Sequence, residues 1–161
     1  MKGFTLIEML VVVALIGLLV TTGSLVFITS LKASSKSQIM TVVKQDGNYA
    51  LGVMERMIRN AYSVDNCLNA HSPTLTITNP DHNTTTFGFI DDGAAWRLAS
   101  GSAYLTGATV TVDTAKSYFN CTKGPPDRVE IVFTLRQKTA SLRPEEQAFL
   151  DFKTTVVLRN Y

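Results

Sequence analysis

Two hydrophobic periodicities divide this chain. From Met9 to Leu31 no charged residue interrupts a run of Leu, Val, Ile, Gly and small hydroxyl residues. A helix over that run is about 35 Å long at ~1.5 Å per residue, against a bilayer core of about 30 Å, so the run predicts a membrane-crossing helix. Ile39, Val42, Val43, Ala50, Val53, Met54, Met57, Ile58 and Ala61 then recur at three- and four-residue steps, with Lys44, Glu55, Arg56 and Arg59 mostly off that stripe. This is the pattern of an amphipathic helix. No proline precedes Pro73, so one helix from about Phe4 to about Tyr62 is expected. Its weak points are the Ser-rich Lys32–Ser37 and the run Asp46-Gly47-Asn48, since Gly costs a helix about 1 kcal/mol against Ala.

Beyond Asn66 the period falls to two. Leu75 and Ile77 alternate with Thr. Phe87, Phe89 and Ile90 precede the turn signal Asp91-Asp92-Gly93, and Trp96–Leu98 and Thr109–Val112 read as further short strands. Asp113 to Pro126 reads as a loop closed by the turn Gly124-Pro125-Pro126-Asp127. The clearest strand is Arg128 to Gln137, where Val129, Ile131, Phe133 and Leu135 share one face. Thr139 to Glu146 is a polar connection, and Phe149 to Leu158 is the last strand, making a hairpin with its predecessor. A sheet with one apolar face needs a cover, and the helix stripe supplies it. The expected fold class is α+β: a long N-terminal helix, half membrane-spanning and half amphipathic, packed on a small antiparallel β-sheet.

Charge matters most where it is least expected. Glu8 stands at the start of the apolar stretch, where a carboxylate is costly, roughly 2.5–3.5 kcal/mol at mid-helix and less near an end. It follows Lys2-Gly3-Phe4-Thr5-Leu6-Ile7. The run Gly3-Phe4-Thr5-Leu6-Ile7-Glu8, with its short basic leader and the unbroken apolar segment after it, resembles the processing signature of type IV prepilins and of the pseudopilins of type II secretion. The resemblance covers about Met1 to Leu31. It implies that a membrane peptidase cuts between Gly3 and Phe4, that the new amino terminus of Phe4 is methylated, and that Glu8 serves subunit assembly. The physics agrees. Gly3 lets a protease approach the backbone closely. The amine freed at Phe4 has a reference pKa of about 7.7–8.0 and is largely cationic at neutral pH. Glu8 lies one helical turn from it, and pairing of the two, within a chain or between chains, offsets the cost of each charge in low dielectric. A Glu that merely reaches the interface is the plainer reading.

A weaker similarity extends further. Leu51–Ala61 and Val156–Asn160 look similar to minor pilins and J-type minor pseudopilins, which implies a tip or initiating subunit on a pilin-like fold. Many major pilins carry a proline within the apolar segment; here Gly17 and Gly23 stand instead. The implied organisation is a leader at 1–3, a transmembrane or filament-core helix at 4–31, an amphipathic extension at 32–65 and a β-sheet globular domain at 66–161. An ordinary secretory signal is the competitor, but the apolar run is longer than such a signal needs and no A-x-A pattern follows it. Lys32 and Lys36 follow the span and only Lys2 precedes it, so the positive-inside rule alone does not set a cytoplasmic amino terminus; the resemblance implies one.

Of 161 residues, 45% are apolar and the net charge is +2. Lys32–Ser63 carries five basic residues against two acidic, and Val64–Tyr161 nine against ten. Neither part resembles a nucleic-acid surface. Cys67 and Cys121 are the chain's cysteines. Outside the cytoplasm an even count favours a disulfide, here closing a loop of about 55 residues worth about 4 kcal/mol in the chain-entropy model. Two buried free thiols are the alternative. His71 and His82 lie in polar stretches without acids or cysteines at metal spacing. Asp81, Asn83, Asp91 and Asp92 could ligate calcium, but turn chemistry accounts for them. No catalytic residue, metal or cofactor is expected. The sequence reads as a structural subunit of a type IV pilus or type II secretion-like filament. Its partners would be other pilin or pseudopilin subunits, prepilin peptidase, the inner-membrane assembly platform and, before assembly, lipid. The mature chain would cross the inner membrane once with its globular domain periplasmic, and would reach the cell surface in a filament. A single-pass anchored binding module that forms no filament is the rival, and an anchored hydrolase using a histidine is the third reading.

Overall fold

One helix, α1, takes Leu6–Arg59 as a single element, through both stretches where the sequence suggests weakness. The computed structural model describes residues 5–65, 71–138 and 147–159. The chain forms two compact units, Met1–Ser37 and Gln38–Tyr161, and α1 contributes to both. In the first unit the described residues are all exposed, the apolar ones included.

In the second unit α1 buries Val43, Gly47, Ala50, Met54 and Ile58, one face of a 3.6-residue repeat. Asp46-Gly47, poor in helix propensity, takes two close contacts from the rest of this unit. The Phe152 ring lies on Gly47, where a Cβ would overlap it. The Gly107 N–H donates to Asp46 Oδ2 at 2.9 Å. The helix ends because its last groups find other partners. Ala61 N–H donates to Ile58 O at 3.1 Å, tightening the turn, and Arg159 N–H donates to Arg59 O at 3.2 Å.

Nine strands follow among the described residues: β1 (Ser63–Val64), β2 (His71–Ser72), β3 (Thr74–Thr78), β4 (Thr84–Asp91), β5 (Trp96–Ser100), β6 (Ala103–Tyr104), β7 (Val110–Thr122), β8 (Arg128–Gln137) and β9 (Phe149–Val157). They form two antiparallel sheets, β1-β3-β4-β5-β6 and β2-β7-β8-β9, where the sequence suggests one. The fold is α+β and pilin-like, a long N-terminal helix packed on antiparallel sheet. α1 stops at Arg59, and Ser63–Val64 already pairs with β3. The inward positions of β8, Val129, Ile131, Phe133 and Leu135, are fully buried, and Phe133 stacks on Phe152 of β9 at 5.0 Å.

The expected loop at Asp113–Pro126 is corrected. Residues 113–122 belong to β7, paired with β8 on both sides of a register shift between Asp113 and Tyr118. A bulge there displaces polar residues from the ladder, and the side chains make good its bonds. Ser117 Oγ donates to Asp113 O at 2.6 Å and accepts from Thr134 N–H at 3.1 Å. Only Lys123 and the Gly124–Asp127 turn remain outside the strands. The polar connection expected at Thr139–Glu146 lies outside the described residues.

Candidate functional site

The site predicted from sequence is linear, so its geometry is that of one helix start. Thr5 caps α1: the Glu8 N–H donates to Thr5 Oγ1 at 3.3 Å, and Met9 N–H donates to Thr5 O at 3.3 Å. Glu8 is the acid of the first turn, where the free N–H groups of the helix favour negative charge. It is exposed, among Leu6, Ile7, Met9 and Leu10, which are exposed as well. The spacing Thr5-x-x-Glu8 is that of a capping box, a signal open to sequence reasoning and missed by it. Gly3 and Phe4, the expected cleavage and methylation positions, lie outside the described residues.

The helix beyond Glu8 is built for an apolar surround. Its most apolar stretch has a mean hydropathy of 2.6, and α1 is the one helix among the described residues long and apolar enough to cross a membrane. Four of its hydroxyls are satisfied internally. Thr21 and Thr22 donate to carbonyls three and four residues back at 3.0–3.1 Å, Ser24 donates to Val20 O at 2.8 Å, and Thr29 donates to Val26 O at 2.9 Å. Around Gly17 and Gly23 nothing in this chain occupies the space a Cβ would take.

A model of the prokaryotic N-terminal methylation motif matches residues 1–24. The chain carries the prepilin-type signature. The signature supports a pilin- or pseudopilin-like protein that is processed at its amino terminus. Within the prepilin-type segment the match takes in Gly3, Phe4, Glu8 and the first part of the apolar run. Comparisons with curated proteins and with solved structures gave no match.

Elsewhere the residues weighed from sequence fall into local packing. Cys121 is buried on β7 and is not a free thiol, while Cys67 lies outside the described residues. His71 stacks on Tyr118 at 3.9 Å, and His82 meets Tyr62 edge-on at 5.8 Å. Asp81 accepts from the Asn83 side chain and backbone, and those bonds hold its carboxyl below the usual value. Asp92 accepts from the N–H groups of Ala94 and Ala95, with the same consequence. Asp91 Oδ1 accepts from Gly93 N–H at 2.9 Å. These carboxylates stabilise their own turns. No three His, Cys, Asp or Glu side chains gather at metal distance among the described residues. Trp96 is 42% exposed. Arg97 lies 4.0 Å over the Tyr104 ring, donates to Thr106 O and reaches Asp92 at 3.6 Å.

Proposed function

We propose that this chain is a minor pilin or minor pseudopilin, a structural subunit of a type IV pilus or type II secretion-like filament. Prepilin peptidase cuts between Gly3 and Phe4, and the amine of Phe4 is methylated. The mature chain waits in the inner membrane, its globular domain periplasmic, until the assembly platform draws it into a filament beside other subunits. Leu6–Leu31 then exchanges lipid for neighbouring helices. Glu8 meets the amine of its own or an adjacent chain and sets the register of packing. A Cys67–Cys121 disulfide fastens the start of the sheet region to β7. The chain itself catalyses nothing.

The observation that carries this reading is the methylation motif on residues 1–24, heading a helix whose apolar surface is exposed in the chain alone. An apolar face of that extent needs lipid or protein against it. The test is the mass of the amino-terminal peptide from cell envelopes. A peptide beginning at methylated Phe4 is expected. An intact Met1, or a cut after about residue 20 as a secretory signal would give, overturns the reading.

A further inference from the structure

In the Gln38–Tyr161 unit, the end of α1 and the segment after β9 bring three arginines to one corner. Arg56 and Arg59 occupy the last turn of α1 and line, with Gly52, Glu55 and Asn60, a recess of about 290 Å³. The Arg159 N–H donates to Arg59 O at 3.2 Å. All three arginines are exposed. The ion pairs among the described residues are Arg97–Asp92, Lys123–Asp127 and Lys153–Glu130, and they leave these three without a carboxylate. The acids nearby are engaged otherwise. Asp127 holds the Gly124 N–H at 3.0 Å and Lys123 Nζ at 3.1 Å. Glu55 accepts from Thr154 Oγ1 at 2.6 Å. Tyr62, 62% exposed, shares a second recess with Arg159.

Like charges held together raise the energy of the free protein, and a partner of opposite sign removes that cost. The guanidinium fork matches a carboxylate in two parallel hydrogen bonds. Arg and Tyr are also the residues enriched where protein interfaces are buried. We propose that this corner docks a carboxylate-rich surface of a second protein, its acids seated on Arg56, Arg59 and Arg159 with Tyr62 packed beside them. A nucleic acid is disfavoured because three arginines in one patch make no extended basic track for a phosphate backbone. The inference concerns the folded domain and does not rest on filament assembly.

The test uses the full chain in uncharged detergent, with fluorescent polyglutamate as probe and oligothymidylate as comparison, read by anisotropy. Polyglutamate is expected to bind at about 50 mM salt and to weaken strongly by about 300 mM, as screened surface charges do. R56Q/R59Q/R159Q should lower its affinity roughly tenfold or more, while K32Q/K36Q, which also removes positive charge, should change it less than about twofold. Unchanged circular dichroism keeps the comparison to surface chemistry. Absence of polyglutamate binding, equal losses in the two variants, or oligothymidylate binding as tightly as polyglutamate each overturns the proposal, the last in favour of a nucleic-acid surface.

Discussion

Gly47 costs α1 about 1 kcal/mol in helix propensity against Ala, yet the Phe152 ring occupies the place of its missing side chain. The two effects oppose each other in Gly47→Ala, and the clash wins. A ring that also stacks on Phe133 cannot withdraw freely, so the variant should lose about 1–3 kcal/mol, read by denaturant unfolding of the full chain in detergent. Phe152→Leu in the same chain should recover part of that loss, giving less than the sum of the single changes. A more stable Gly47→Ala protein would mean that the ring does not rest there. A second residue-scale effect is electrostatic. The Gly124 N–H, and after it Lys123, hold the Asp127 carboxyl below its ordinary value of 3.8, against a smaller opposing effect of burial. A depressed folded pKa contributes stability that is present above 3.8 and lost as pH falls through the lowered value. Asp127→Asn should therefore be less stable than the parent near neutral pH, and the gap should close in acid. Denaturation midpoints from about pH 6 to about pH 2.5 check this, and a gap independent of pH would rule out the charge as its source.

At the scale of elements, β7 is the informative case. Its bulge survives because Ser117 replaces two missing ladder bonds, donating to Asp113 O and accepting from Thr134 N–H, with Ser117 7% and Thr134 4% exposed. Ser117→Ala strands both groups away from water and should cost about 1–3 kcal/mol, more than an average surface substitution. Amide exchange at Thr134 should quicken along with it; protection unchanged at that amide would mean the bulge is held by other means. The same bulge explains why the part of β7 beyond Val112 was hidden in the sequence. Asp113–Ser117 breaks the alternation, so a period-two reading stops there and sees a loop. β8 and β9 were legible because Val129 to Leu135 and Phe152 to Val156 alternate without interruption. The α1 stripe was legible too, apart from Gly47, where the buried partner of Phe152 has no side chain to announce it. β1, β2 and β6 are two residues each, too short for any period. The prepilin-type site could be read because it is contiguous in the chain. The arginine corner could not, since Arg59 and Arg159 meet only through the fold.

For the whole molecule, the question is what Glu8 does in a helix start made of apolar residues. Two contributions are on the page, and they differ in size. As part of the α1 amino terminus, the carboxylate complements the free N–H groups and the Thr5 cap, worth about 0.3–1 kcal/mol. As the counter-charge of a freed amine in assembly, it would be worth about 4 kcal/mol at 4 Å and an effective dielectric of 20. A loss of the first size frays one turn. A loss of the second size decides whether chains associate. Glu8→Gln separates them, because Gln retains the side-chain shape and hydrogen-bonding capacity of the capping position while removing the charge. If charge pairing governs assembly, Glu8→Gln and Glu8→Ala should both be inserted and cut after Gly3, and both should fail to enter filaments, as read by shearing and immunoblotting of the surface fraction. If the cap were the whole of its role, Glu8→Gln would assemble like the parent and Glu8→Ala would be only mildly impaired. That second pattern would sink the idea that this acid sets the packing of helices.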